Sequence, residues 1–286
     1  MENCEATTVL KIAIQGGYGA FHEIAAQSYF GSEEFELVPC RTFNDEFKVL
    51  NGGDADYGIM AIENSVAGSI LPNYALLSES NMKIVGEVYV RIQQNLAALP
   101  GQKIEDIREV YSHPMAILQC QKFFDNYPHI RLINSDDTAI SAKEIRVKNQ
   151  ENVGAICSTL AAKRYGLEIL AHGIETNQRN YTRFLILYDK EKDFQFDKEI
   201  NKASVCFSLA DEIGELSKVL SIFSFYNINL SKIQSLPIIG KEWEYQFYVD
   251  LEFKDYKIYR QALVAIEPLI SDLSILGEYP VGEKII

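Results

Sequence analysis

The chain has 286 residues, 47% of them hydrophobic and 23% charged, with a formal net charge of −13 at pH 7. That length passes the roughly 250 residues at which single cores stop growing, so a globular protein of two domains is expected. The negative balance argues against nucleic acid and anionic membrane as partners, and it requires that any anionic ligand be met by locally gathered cations.

Leu10 to Gln15 reads as a first strand, ending in Gly16-Gly17-Tyr18-Gly19. Ala20 to Phe30 follows with helical spacing, making half of a βαβ unit. The glycines invite a dinucleotide reading, but His22 stands where that fingerprint wants glycine, so the turn is read as one that lets a helix pack. Phe35 to Val38 is a second strand and Phe43 to Leu50 a second helix, stopped by Gly52-Gly53. Tyr57 to Ile62 is a strand that runs into Glu63-Asn64-Ser65, with a helical stretch at Ile70 to Leu77. Lys83 to Leu99 is rich in strand. Three more units follow: strand 110–112 and helix 115–124, strand 130–133 with Asp136-Asp137-Thr138 capping a helix through Val147, strand 152–156 and a helix to Tyr165-Gly166. Phe184 to Tyr188 is a buried strand with Thr182 and Arg183 at its mouth. Repeated strand–turn–helix units predict an open, mostly parallel α/β sheet that binds ligands at strand C-termini. The charged run Asp189 to Lys202 reads as a linker. From Ala203 the order becomes strand, helix, strand, strand, helix, strand, a separate ferredoxin-like βαββαβ domain.

Polar groups collect at strand ends: Glu63-Asn64-Ser65, Ser112-His113 with Gln119, Thr138 after two aspartates, and Thr182-Arg183. Helix N-termini attract carboxylates and phosphates. Each cluster also reads as an ordinary helix cap, and only their convergence on one cleft suggests a site. Five scattered cysteines, at 4, 40, 120, 157 and 206, form no CxxC pair and argue against zinc and against a disulfide framework. No HExxH, GxSxG or P-loop pattern occurs. An enzyme built from these parts is expected to work by positioning and proton donation, without metal, nucleotide or covalent nucleophile. Met1 to Thr8 lacks an apolar stretch and no run approaches the ~20 apolar residues of a membrane helix, so no leader or span is read and a cytoplasmic protein is expected.

Gly17-Tyr18-Gly19-Ala20-Phe21, Ile62-Glu63-Asn64-Ser65 with Gly68-Ser69, Ser112-His113-Pro114 with Gln119-Cys120, and Asn180-Tyr181-Thr182-Arg183-Phe184 together resemble the prephenate dehydratase family, in order across residues 10–188. The C-terminal part resembles an ACT domain, with Gly214-Glu215-Leu216-Ser217-Lys218-Val219-Leu220 standing for its GALAKAL element. The family's ESRP motif is Gln234-Ser235-Leu236-Pro237 here, a departure that removes the acid and the arginine.

The resemblance implies a two-lobed catalytic domain over 9–188 with a periplasmic-binding-protein-like cleft, a linker over 189–202 and an ACT domain over 203–280. It implies conversion of prephenate to phenylpyruvate with no cofactor, and L-phenylalanine as effector. Thr182, Glu63 and Asn64 are the expected catalytic residues. Ser112, Gln119, Thr138, Arg183 and Phe184 are the expected substrate-binding ones. Gly214, Leu216, Asn229, Leu230 and Ser235 are the expected effector-binding residues, with Trp243 as a fluorescent reporter. A homodimer or homotetramer formed through ACT domains is implied. Arogenate dehydratase, which acts on the transaminated substrate, and a non-catalytic solute-sensing protein remain alternatives; a dinucleotide-dependent reductase is weakened by the broken glycine pattern.

Overall fold

The computed structural model describes residues 9–210, 212–238 and 244–285. Met1 to Thr8, with Cys4, and Trp243 lie outside the described residues. The chain divides into two compact units, one taking in the chain to Ile70, Val88–Phe184 and the end from Lys284, the other Leu71–Glu87 and Leu185–Glu283.

In chain order the elements begin with β1 Leu10–Gln15, α1 Phe21–Phe30, β2 Phe35–Cys40, α2 Phe43–Asn51, β3 Tyr57–Asn64 and β4 Gly68–Ser69. Next come α3 Leu71–Glu79, β5 Met82–Arg91, β6 Asn95–Ala98, β7 Glu109–Ser112, α4 Pro114–Phe124, β8 Arg131–Asn134 and α5 Thr138–Lys148. Then follow β9 Val153–Cys157, α6 Thr159–Arg164, β10 Glu168–Ala171 and β11 Tyr181–Asp189. Last are β12 Lys202–Leu209, α7 Glu215–Phe225, β13 Asn229–Pro237, β14 Tyr245–Glu252, α8 Tyr256–Ile266, β15 Ser271–Tyr279 and β16 Lys284–Ile285.

The first unit holds two sheet-centred halves. In one, β1 lies between β2 and β3, parallel to both, and β11 lies beside β3. In the other, β7 lies parallel between β8 and β9, and β6 and β10 extend the sheet antiparallel from β9. Parallel strands covered by helices on both faces carry continuous apolar runs, as in Ile59-Met60-Ala61-Ile62 of β3. The sequence pattern misses β10, a four-residue edge strand whose Ile169 and Leu170 are only partly buried. The chain crosses between the halves twice, at 91–95 and 174–181, and the crossings are zipped together. The Ile92 amide donates to the Asn180 carbonyl over 2.7 Å, and Ile174 to that of Gln94 over 2.8 Å.

Gly19 explains the glycine-rich turn after β1. Its φ is +92°, and a Cβ there would lie 2.7 Å from the Cα of Ala161 on α6. Only glycine lets the turn of one half sit on the helix of the other.

The second unit contains the expected βαββαβ order, from β12 to β15, with strands arranged β13-β14-β12-β15 and antiparallel where they pair. One face packs against α7 and α8 through Val205, Phe207, Val219, Phe223, Tyr259 and Leu263. The other residues of β12 are buried too. Lys202 donates to both oxygens of Glu87 on β5, over 2.9 and 3.0 Å, and the Ser204 hydroxyl reaches Asp250 over 2.5 Å. Residues 71–87 therefore belong with this unit in packing although they lie far upstream in sequence. The Tyr248 hydroxyl, for instance, donates to the hydroxyl oxygen of Ser78 on α3 over 3.0 Å.

Candidate active site

Strand β11 begins at Tyr181, three residues before the expected start, so Thr182 and Arg183 lie inside the strand and not at its mouth. Ser65 is the reason. Its amide donates to the Tyr181 carbonyl over 2.8 Å, and its hydroxyl accepts from the Tyr181 amide over 2.9 Å. Side chains held in a paired, buried strand are fixed in place.

Asn64 closes β3 and reads its surroundings with both ends of its amide. Its Oδ1 accepts from the backbone amides of Val66 and Ala67, over 2.9 and 2.8 Å, which makes the tight turn into β4. Its Nδ2 donates to Asn180 Oδ1 over 2.7 Å and to Thr182 Oγ1 over 3.0 Å. Thr182 is 8% exposed. Its oxygen is thus an acceptor toward Asn64, and its proton has no acceptor among the described residues. A hydroxyl in that state is a donor waiting for a ligand.

Arg183, 3% exposed, brings Nε within 3.3 Å of Glu63 Oε1. This buried guanidinium and its carboxylate lie on the same two strands as Thr182 and Asn64, one residue away from each. Phe184 lies one residue further along β11 in the core, its ring edge-on to His22 with centroids 4.9 Å apart. Burial holds the His22 imidazole down to about 3, so it is neutral at pH 7.

Gln119 sits in the second turn of α4 and accepts from Asn180 Nδ2 over 2.9 Å. It joins the cluster from the opposite half of the unit. Ser112 is fully buried at the end of β7, where its hydroxyl donates to the Ile156 carbonyl over 2.8 Å. Thr138 is the first residue of α5, and Asp137 is its cap, accepting from Ala139 and Ile140 over 2.9 and 2.8 Å. Burial raises the Asp137 carboxyl, against the opposing pull of the Ile140, Gly17 and Ala139 amides. His113 caps α4 through Nδ1, which accepts from Met115 over 3.2 Å, and burial lowers its pKa against the opposing charge of Asp137. Arg41, Thr42, Asp45 and His113 line an open cavity of about 610 Å³, and Arg41 pairs there with Asp136 over 3.1 Å.

The structure therefore joins Glu63 to Arg183, and Asn64 to Thr182, and links Gln119 to Asn64 through Asn180. Ser112 and Thr138 lie in the second half and make no hydrogen bond to that cluster among the described residues. The sequence reading did not assign Asn180 a role. It stands in the quoted motif beside Thr182, but nothing in spacing shows that its amide faces both Asn64 and Gln119.

Strands β3 and β11 thus carry a buried hydroxyl held by an amide and a buried arginine–carboxylate pair. The chain belongs to the prephenate dehydratase family, whose model matches residues 12–192. It is 38% identical, over 95% of its own length and 73% of the relative's, to the arogenate dehydratase/prephenate dehydratase 2 of Arabidopsis thaliana. It is 36% identical, over 95% of its length and 74% of the relative's, to the bifunctional chorismate mutase/prephenate dehydratase of Aquifex aeolicus. Among solved structures it is similar to prephenate dehydratase from Arthrobacter aurescens in complex with L-Phe, with TM-score 0.83, 27% identity and coverage of 94% of this chain and 90% of that one. It is also similar to GqqA, described as a novel type of quorum quenching acylase, with TM-score 0.84, 28% identity and coverage of 95% and 98%. No helix among the described residues is long and apolar enough to cross a membrane.

Proposed function

We propose that the chain converts prephenate to phenylpyruvate, carbon dioxide and water, with Thr182 as the proton donor to the leaving hydroxyl. The observation that carries this reading is the bond from Asn64 Nδ2 to Thr182 Oγ1, which leaves the threonine proton free to donate. Prephenate's ring is one step from aromatic. As the ring carboxylate leaves as carbon dioxide, the electron pair of its bond enters the ring and the carbon–oxygen bond to the hydroxyl breaks. Hydroxide leaves poorly and water leaves well, so the hydroxyl must take up a proton as it departs, and a placed donor contributes roughly 10²–10⁴-fold. Thr182 acts as a relay, giving its own proton while its oxygen takes up another from solvent water, since a threonine hydroxyl is too weak an acid to be the source. Arg183 supplies fixed charge for a carboxylate, with Glu63 orienting the guanidinium, and this preorganisation does the rest. Gln119 adds an amide contact, and Ser112 and Thr138 are assigned to holding the other carboxylate from the second half.

In the same reading, 9–188 is the catalytic domain, 189–202 a linker and 203–280 an ACT domain that senses L-phenylalanine. Support comes from the βαββαβ order of the second unit and from the similar Arthrobacter aurescens enzyme having been solved with L-Phe. Gly214 caps α7 with φ +89°, and Leu216 and Leu230 pack on the domain core; Asn229 and Ser235 lie on β13. These residues are assigned to the effector site, and pairing of ACT domains to a homodimer or homotetramer. The place of action is assigned to the cytoplasm.

Arogenate is the second substrate to weigh, because the 38% identical Arabidopsis relative carries both activities in its name. Purified protein given prephenate or arogenate, without cofactor and with or without L-phenylalanine, tests all of this. Phenylpyruvate formed from prephenate and suppressed by L-phenylalanine supports both domain assignments. Phenylalanine formed from arogenate alone moves the substrate. Turnover that ignores L-phenylalanine removes the sensor assignment.

A further inference from the structure

Three side-chain amides stand in a row, and their polarity is fixed from one end. Asn64 Oδ1 faces two backbone amides, Val66 and Ala67, which can only donate. The opposite end must therefore be Nδ2, whose shortest bonds run to Asn180 Oδ1 and Thr182 Oγ1. Asn180, fully buried, is in turn obliged to offer Nδ2 to Gln119, which accepts through Oε1 over 2.9 Å. Gln119 is only partly buried, and its own Nε2 has no acceptor among the described residues. Each amide thus dictates the orientation of the next, from a backbone turn in one half of the unit to helix α4 in the other.

From this row we infer that Asn180 is a positioning residue which keeps the donor end of Gln119 outward, so that Gln119 Nε2 and the Thr182 hydroxyl are presented together as a pair of donors. An anionic, hydroxyl-bearing substrate such as prephenate fits two donors with no competing acceptor. Asn180 touches no reacting atom. It acts by excluding the flipped Gln119, whose outward Oε1 would repel a carboxylate.

The inference rests on the prephenate reading, and two substitutions separate the two. Asn180→Asp keeps the size of the side chain and its acceptor toward Asn64, but it cannot donate to Gln119, which must turn Nε2 inward. Gln119→Glu removes the same outward donor and leaves Asn180 in place. The two variants touch different residues and are expected to give one phenotype, a KM for prephenate raised about tenfold or more with a smaller change in kcat, the mark of lost ground-state binding. A folded Asn180→Asp protein whose KM stays within about twofold of the parent overturns the inference, as does an indifferent Gln119→Glu. Should Asn180→Asp fail to fold, Asn180→Ala, Gln119→Ala and their double variant decide. A double effect on KM no larger than the greater single one supports the inference, and multiplying effects overturn it. A parent that turns over neither prephenate nor arogenate overturns the functional reading and this inference with it; an active parent with indifferent variants overturns the inference alone.

Discussion

Asn64 donates its side-chain amide to the Thr182 hydroxyl oxygen over 3.0 Å while its own oxygen is held by the Val66 and Ala67 amides. The turn at the end of β3 thereby sets the direction of the hydrogen bond on β11. Asn64→Asp preserves the turn, because one carboxylate oxygen still accepts from both backbone amides. The other oxygen becomes an acceptor toward Thr182 and takes up the proton that the reaction needs. A fall in kcat of about 10²-fold or more, with a smaller change in KM, is expected in steady-state assays with prephenate.

Arg183 Nε and Glu63 Oε1 lie 3.3 Å apart. If the guanidinium holds a substrate carboxylate, Arg183→Ala raises KM about tenfold or more, since a charged hydrogen bond is worth roughly 1.5–3 kcal/mol. Arg183→Lys recovers only part of this, because an ammonium cannot reproduce the guanidinium fork. An unchanged KM in Arg183→Ala makes the residue a structural one.

Two buried titratable groups give stability opposite slopes with pH. His22 has a folded pKa of about 3 against an ordinary value of 6.5, so the unfolded chain binds the extra proton between those values. Stability from this group is complete above pH 6.5 and falls on acidification toward pH 3, by up to about 1.4 kcal/mol per pH unit. Glu46 on α2 is fully buried, its carboxylate oxygens have no hydrogen-bond partner among the described residues, and burial holds its carboxyl well above 4.5 against a smaller opposing contribution from the Ile59 backbone. Here the folded state keeps a proton that the unfolded state releases, so stability falls as pH rises above 4.5. Urea titrations are expected to show His22→Leu flattening the acid limb. Glu46→Gln is expected to stabilise the protein at pH 8, with the gain shrinking toward pH 4.5.

Much of the architecture was legible because each buried strand is a short apolar run bracketed by glycine or polar turns. Strand Leu10–Gln15 and the start of α2 at Phe43 are found where periodicity and caps put them. What spacing cannot show is which distant residue supplies a partner. The start of β11 depends on Ser65, and the Gln119 contact depends on Asn180, over 61 residues of chain. At α5 the cap is the half-buried acid Asp137 where the chain offers two adjacent aspartates, and the amide of the distant Gly17, which faces Asp137 Oδ1, distinguishes them. The two-lobed division implied by the family resemblance leaves no trace in the spacing itself, because the crossings at 91–95 and 174–181 look like any other loop.

Lys202 and Glu87 form an ion pair with both side chains fully buried. Removing one partner strands a charge, so Lys202→Met is expected to cost about 3–5 kcal/mol in urea unfolding. Adding Glu87→Leu to it is expected to restore most of that loss, because an apolar pair of similar volume is often neutral or better. Glycine at 277 has no such latitude: a Cβ there would lie 2.3 Å from the Ile84 carbonyl oxygen.

In the proposed reaction the Thr182 hydroxyl donates to the departing oxygen of prephenate. The most direct test follows phenylpyruvate from prephenate with the parent, Thr182→Ser and Thr182→Val, after circular dichroism has established that all three fold. Thr182→Ser keeps a hydroxyl and is expected to retain measurable turnover. Thr182→Val keeps the shape without the proton and is expected to lose about 10²–10⁴-fold in kcat. A folded Thr182→Val protein that turns over prephenate at the parent's rate contradicts the claim.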